Sequence, residues 1–327
     1  MRILGLGAGN PAGSAEILLQ VALEAAAGEG AEVALVRLDE LALPLRPVAP
    51  GGPAGDDDGP WLWDQLMESD GLIVSSPIYS RTITGKLKLV ADRLSGPAAD
   101  VAFAENYRRL LESGETPPVA FPYDERVFRP RVAGLIAVGG ALSSQWKTLA
   151  LPLMQQMMFS AQIAVADQLL VGGAGMPRAV VLDEAALAGA ARVGRSVSSQ
   201  LGRPFASVEY RGEAGLCPLC HLSVIDVLPG DGGAVECATC GAGGRLVFVG
   251  DGGGRVEVRF DDPERLARSI LTMDEKRAHF AEVMDTGAAQ GARAAEIDRL
   301  AKRYATFDRR LAPGEASAGR PASGAPT

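Results

Sequence analysis

Cysteine, histidine and aromatic residues are all scarce in this 327-residue chain: four cysteines, two histidines, and 5% aromatics. Each scarcity removes a class of chemistry. The cysteines all lie between positions 217 and 240 as two Cys-x-x-Cys pairs, so none remains for a disulfide framework, which fits a reducing compartment. His221 and His279 are the only histidines, and neither a Gly-x-Ser-x-Gly elbow nor a His-Glu-x-x-His helix occurs, so hydrolytic triads and zinc proteases find no candidates. Basic residues are outnumbered, 32 Lys and Arg against 40 Asp and Glu, and the net charge of -8 argues against nucleic acid or an anionic membrane as partner. No apolar run reaches membrane length; the most apolar region, 132–166, is interrupted by Lys147, Pro152, Gln155 and Gln156. Met1-Arg2 leads straight into apolar Ile3–Leu6, leaving no room for a signal peptide, and a cytoplasmic protein is expected.

What the chain does have is apolar residues (47%) and glycine (40 residues), enough for one full α/β domain and a smaller appendage. Five apolar runs read as buried strands: Ile3–Leu6, Glu32–Leu38, Gly71–Ser75, Val132–Val138 and Gln162–Val171. Helical patterns separate them, at 15–27, 61–69, 82–94 and 146–158, and 183–201 closes the series with Asp183 as its N-cap. Strands alternating with helices predict a doubly wound parallel sheet. After the first strand, Gly7-Ala8-Gly9-Asn10-Pro11-Ala12-Gly13-Ser14 is a glycine-rich loop opening a helix, a natural phosphate cradle of backbone N–H groups. The same loop also reads as a dinucleotide fingerprint, Gly7-x-Gly9-x-x-Ala12, with Asp39 as ribose acid; Pro11 is awkward in that pattern. Asp56-Asp57-Asp58 reads as a solvated turn. Residues 96–131 exceed what a minimal five-stranded sheet needs and hold Phe103, Tyr107, Phe121, Tyr123 and Phe128, five of seventeen aromatics. They are expected either to roof a ligand or to form a local mini-core or dimer arm.

The most specific stretch is 75–94, where the third strand runs into Ser76-Pro77-Ile78-Tyr79 and then Thr82-x-x-Gly85-Lys86-Leu87-Lys88-x-x-x-Asp92-Arg93. Leu87, Val90, Ala91 and Leu94 form one apolar stripe on the helix that follows. This segment resembles the flavodoxin-like NAD(P)H-dependent FMN reductase family, over roughly residues 1–203. The resemblance implies a flavodoxin-like fold, bound FMN and reduction by NAD(P)H. It implies that Gly7, Gly9, Gly13, Ser14 and Ala15 surround the FMN phosphate, although the loop lacks the family's usual Arg and Asn-Thr. It implies too that Pro77, Ile78, Tyr79 and Ser80 border the ring, with Gly139 and Gly140 at its other edge. Tyr79 is the one candidate for a direct catalytic role, against simple ring packing. A homodimer is implied because family members complete their sites across subunits.

Beyond Pro204 the character changes. Cys217-Pro218-Leu219-Cys220 and Cys237-Ala238-Thr239-Cys240 are spaced as two metal knuckles, whose four thiolates close a tetrahedron. Flanking apolar runs suit the strands of a zinc-ribbon-like module over 208–261. Zn2+ is expected, with iron, as in rubredoxin-like sites, the alternative. Residues 262–310 read as a helical extension broken at Gly287 and Gly291, with His279 packed or solvated, and 311–327 as a disordered tail.

A flavin needs no protein nucleophile: its ring takes hydride at N5, and the protein supplies orientation and exclusion of water. The leading expectation is therefore an FMN-dependent NAD(P)H oxidoreductase acting on a small organic acceptor or a flavin. Two alternatives stand beside it. One is an electron-transfer protein using flavin and iron; the other is a flavodoxin-fold scaffold that has lost FMN, since the phosphate loop is poor in donors.

Overall fold

A computed structural model describes residues 1–47, 56–94, 99–115, 123–230, 232–250 and 254–305. Five strands, β1 (Arg2–Gly7), β2 (Glu32–Arg37), β3 (Gly71–Pro77), β4 (Val132–Val138) and β5 (Ala164–Val171), form a parallel sheet in the order β2-β1-β3-β4-β5. The chain leaves β1 toward one side and returns to its other side at β3, so the order reverses there and a crevice opens at the carboxyl ends. β3 and β4 are covered on both faces, which is why they are continuous apolar runs without alternation.

One face carries α1 (Ser14–Gly28) and α6 (Glu184–Ser198), packed through Leu18, Leu19, Ala22, Val193 and Val197. Gly194 is needed at their crossing, since a Cβ there would fall 1.9 Å from the Ala22 carbonyl oxygen. The other face carries α2 (Gly59–Met67), α3 (Gly85–Leu94) and α5 (Ala150–Gln155), contributing Leu62, Leu66, Leu87, Val90 and Met154 to the core. Asp183 caps α6 as expected, its Oδ1 accepting the Ala186 N–H at 2.9 Å.

Several expectations need correction. The helix expected over 146–158 is confined to 150–155. A proline is tolerated only in a helix's first turn, and Pro152 therefore forces the start to Ala150. Residues Ser144–Trp146 form a separate 3-10 turn. The segment 96–131 contains a helix that was not expected, α4 (Val101–Glu112), capped by Asp100. Tyr107, Tyr123 and Phe128 pack edge to face at 5.5 and 6.2 Å, with Arg108 over Phe128; Phe121 lies outside the described residues. Nor is Asp56-Asp57-Asp58 simply solvated. Asp57 makes a buried two-pronged ion pair with Arg93 of α3, both contacts 2.7 Å, and Asp58 accepts the Ala42 N–H.

Arg131, fully buried just before β4, donates to the carbonyls of Met67, Ser69, Arg126 and Arg129. Burial without a carboxylate partner lowers its pKa to about 10.

The chain then forms an antiparallel sheet of β6 (Ile225–Val227), β7 (Ala234–Cys237), β8 (Gly243–Val249) and β9 (Arg255–Arg259), followed by α7 (Pro263–Leu266). α8 (Met273–Gly291) runs unbroken through Gly287 and ends at Gly291. An exposed mid-helix glycine costs only about 1 kcal/mol, less than a break. Lys276 is buried, its ammonium donating to the Phe159 carbonyl and the Gln162 side chain, and desolvation lowers its pKa to about 8.

Residues 1–278 form one compact unit and 279–327 another. In the second, α9 (Ala294–Ala305) leaves Ile297, Leu300 and Tyr304 exposed, and His279 is solvated beside Glu282. The expected tail at 311–327 lies outside the described residues.

Candidate active site and metal centre

The crevice at the carboxyl ends of β1, β3 and β4 encloses about 230 Å³. Its floor at one end is the loop between β1 and α1. Ala8 N–H is tied to the Ser75 carbonyl at 2.9 Å, and Ser75 Oγ donates to the Ala15 carbonyl at 2.7 Å, so β3 fixes both ends of the loop. Ala12 accepts a left-handed conformation (φ 55°) to complete the turn. Two of its glycines pack closely. A Cβ on Gly9 would lie 3.1 Å from Pro77 Cδ, and one on Gly13 3.0 Å from the Asn10 carbonyl oxygen.

Ser14, Ala15 and Glu16 form the first turn of α1, where N–H groups lack intrahelical partners. Ser14 Oγ is buried with no hydrogen-bond partner, and Ser14 lines the crevice. A buried hydroxyl left unpartnered at a helix N-terminus is a fitting donor set for an anion such as a phosphate. Glu16, in the same turn, does not oppose that, because its carboxylate is held by Arg37 through two contacts of 2.9 Å. Arg37 is the main cause lowering its pKa. Glu16 and Arg37 are absent from the crevice wall; the charge is neutralised behind it.

The far end is walled by two loops. From β3, Pro77, Ile78 and Tyr79 enter the lining; from β4, Gly139 and Gly140 do so. Ile78 N–H donates to the Val138 carbonyl at 2.8 Å, so the loops leave the sheet in register. Gly139 packs under Ile78, where a Cβ would lie 3.2 Å from Ile78 Cβ. Tyr79 and Thr82 exchange two backbone hydrogen bonds of 3.0 Å around Ser80 and Arg81, whose φ values are 48° and 74°. This is a two-residue turn of the kind that ordinarily selects glycine or asparagine. Tyr79 projects to the open mouth and is the one ionisable side chain in the lining.

Of the residues singled out from sequence, Gly9, Gly13, Ser14, Ala15, Pro77, Ile78, Tyr79, Gly139 and Gly140 converge on this crevice. Gly7 and Ser80 do not line it. Gly7 closes β1, paired with Arg37 and Ser75, and Ser80 sits at the exposed tip of the turn. Asp39, the ribose acid of the dinucleotide reading, lies exposed in a 3-10 turn after β2 and is also absent from the lining. Sequence reasoning missed Asn10 and the third wall, Ala174–Pro177 after β5. The signal was present: Gly172-Gly173-Ala174-Gly175 repeats the glycine pattern of the other two strand ends. None of Phe103, Tyr107, Tyr123 or Phe128 reaches the lining.

The second centre lies where the ribbon docks on β5. Cys217, Cys220, Cys237 and Cys240 are buried, and their sulfurs lie within 4.8 Å of one another, the closest at 3.4 and 3.6 Å. A tetrahedral ion with bonds of about 2.3 Å requires sulfur separations of about 3.8 Å, so the donor set fits one metal. The knuckles share one construction. Cys217 and Cys237 N–H groups bond the carbonyls of Leu222 and Ala242, while His221 and Gly241 N–H groups bond those of Cys217 and Cys237. His221 (φ 59°) and Gly241 (φ 74°) occupy the same left-handed position. His221 is half-buried there, stacked on Tyr210 at 3.8 Å. Three glutamines join the knuckles to the parallel domain. Gln155 and Gln168 donate to the Cys220 carbonyl, Gln168 also to that of His221, and Gln156 to that of Thr239.

Known proteins share this architecture. The sequence model of a family described as NADPH-dependent FMN reductase matches residues 1–175. A flavone synthase, cfoJ of Aspergillus candidus, is 36% identical over 314 residues, covering 91% of this chain and 93% of that one. The solved structure of a flavone reductase superimposes with a TM-score of 0.76 at 24% identity, covering 96% of this chain and 100% of the other, a likeness of fold.

Proposed function

This chain belongs to the NADPH-dependent FMN reductase family, and from that membership we propose that its crevice holds FMN and serves the NAD(P)H-dependent reduction of a planar, flavone-like molecule. The observation that carries the binding part is the buried, unpartnered Ser14 hydroxyl at the start of α1. In this reading Gly9, Gly13, Ser14 and Ala15 hold the phosphate, Pro77, Ile78 and Tyr79 border one side of the ring, and Gly139 and Gly140 border the other. FMN, when bound, supplies hydride exchange between the nicotinamide and the second substrate. The chain's own part is to fix the ring against the glycine wall, keep water from it, and present Tyr79 at the mouth, within reach of a substrate.

Two relatives' names guide the substrate: one makes a flavone and the other reduces one. A flavone and its dihydro form differ by one carbon–carbon double bond. Its reduction therefore takes one hydride and one proton, with NAD(P)H oxidised to NAD(P)+. Tyr79 and Met176, which line the crevice and are exposed at its mouth, support a planar apolar substrate. We further propose zinc in the four-cysteine centre, because its buried, doubly hydrogen-bonded knuckles suit a closed structural site. We propose a homodimer, as the family implies. No described helix is long and apolar enough to cross a membrane.

The test is direct. The holoprotein, reduced anaerobically with NADPH, is mixed with flavone, and the products are separated by chromatography. Appearance of the dihydro product with return of oxidised flavin supports the reading. Reoxidation by free flavin alone, with flavone untouched, rejects the substrate class.

A further inference from the structure

The overall charge is negative, and no lysine or arginine lines the phosphate end of the crevice. Cations lie instead on the loops of the other end, outside the lining. Arg81 lies at the tip of the turn that follows Tyr79, Lys147 packs against Gly172, and Arg178 follows Pro177 of the third wall. Arg81 is the most constrained of them. Its backbone and that of Ser80 are both left-handed, between the reciprocal Tyr79–Thr82 hydrogen bonds. Non-glycine residues adopt that conformation at a cost, and such strain persists at sites where the surroundings hold it for a reason. Here the hold is visible: Arg81 Nε donates to the Gln145 carbonyl at 2.8 Å, spanning from the ring loop to the loop that begins at Gly139. With Nε committed, the two terminal amino groups of Arg81 have no partner among the described residues, and the side chain is exposed.

A guanidinium anchored by Nε and free at both terminal nitrogens presents a two-pronged fork to an anion, the geometry that suits phosphate oxygens. We propose that Arg81 is a specificity-determining residue for the hydride donor, receiving a phosphate of the reduced pyridine dinucleotide on its terminal nitrogens while its Nε keeps the ring loop in place. This rests on the reading of the crevice as an NAD(P)H–FMN site. FMN's own phosphate sits at Ser14 in that reading, at the opposite end, so the two anions are recognised separately. The chemistry is shared by the dinucleotide's pyrophosphate and by the 2′-phosphate that distinguishes NADPH from NADH.

The test is steady-state kinetics of Arg81→Ala and Arg81→Gln holoproteins with NADPH and with NADH, alongside FMN content. Loss of a charge-assisted phosphate contact should raise the donor KM about tenfold or more. In Arg81→Gln, whose amide nitrogen stands where Nε stood, kcat, the acceptor KM and one FMN per chain should stay near native values. A rise for NADPH alone assigns the contact to the 2′-phosphate; a rise for both donors assigns it to the pyrophosphate. Arg81→Gln retains an amide donor toward the Gln145 carbonyl but no charge. Recovery of native donor KM by glutamine would therefore mean a merely structural role and overturn the proposal. So would unchanged donor KM in both variants, or a change confined to the acceptor KM. Native protein whose flavin is bleached by neither donor would refute the underlying functional reading, a result distinct from native bleaching with unaffected variants.

Discussion

Ser14→Asp places a carboxylate where the unpartnered Ser14 hydroxyl now stands, at the first turn of α1. Two unit charges about 4 Å apart at an effective dielectric near 20 repel by about 4 kcal/mol, and a phosphate bears more than one charge. A loss of about a thousandfold in FMN affinity is therefore expected. Nothing nearby absorbs the new charge. The segment 7–15 contains no lysine or arginine, and Arg37 is already committed to Glu16 and Glu40. The same substitution should not harm the apoprotein. An acid in the first turn favours the helix dipole by about 0.3–1 kcal/mol, so the apoprotein's melting temperature should hold or rise. The assay is equilibrium binding of FMN by quenching of its fluorescence, with thermal melting of the apoprotein as control. Ser14→Ala, losing one hydrogen bond, should weaken binding only about fivefold. Native-like flavin retention by Ser14→Asp would show that the phosphate does not sit at α1.

Three other substitutions probe the frame around the site. Gln168→Leu removes the donors to the Cys220 and His221 carbonyls; about 2–4 kcal/mol of stability should be lost and metal release to a chelator accelerated, with FMN content preserved. Equal release rates for variant and native protein would reject a supporting role for Gln168. Arg131→Met removes a donor from four backbone carbonyls, of which Met67 and Arg126 keep a second donor from Arg129, and should lower stability by about 3 kcal/mol in urea unfolding, with flavin affinity of the folded protein unchanged. Lys276 gives a pH signature. Its folded pKa of about 8 lies below its ordinary 10.5, so the unfolded chain binds more protons between those values. Stability relative to Lys276→Met should rise across that window by about 2–3 kcal/mol, and a flat difference curve would mean the ammonium is not desolvated.

Much of this was legible in the sequence because local signals and burial agreed. The runs 3–6, 71–75 and 132–138 are strands because both faces of the central sheet are covered, and no alternation competes with that reading. The glycines at 9, 13, 139 and 140 were legible as sites because each marks a close backbone approach. The Cys pairs declared their geometry by spacing alone. Other features depend on partners distant in sequence. Nothing local says that Asp57 will be buried by Arg93, or that Gln155, Gln156 and Gln168 will carry the knuckles. The helix α4 within 96–131 was not legible because the aromatics of that segment stack on one another across a turn and show no single helical stripe. Arg81 drew no attention because its backbone strain and its bond to Gln145 are invisible in one dimension.

The proposed function requires one crevice to hold FMN and to pass hydride from a nicotinamide donor. Anaerobic titration of the purified protein with NADPH and NADH, followed through the visible flavin spectrum, decides the matter. One FMN per chain, bleached stoichiometrically by at least one donor, is the predicted result. A flavin that neither donor bleaches, or a colourless protein that fails to take up added FMN, would be incompatible with it.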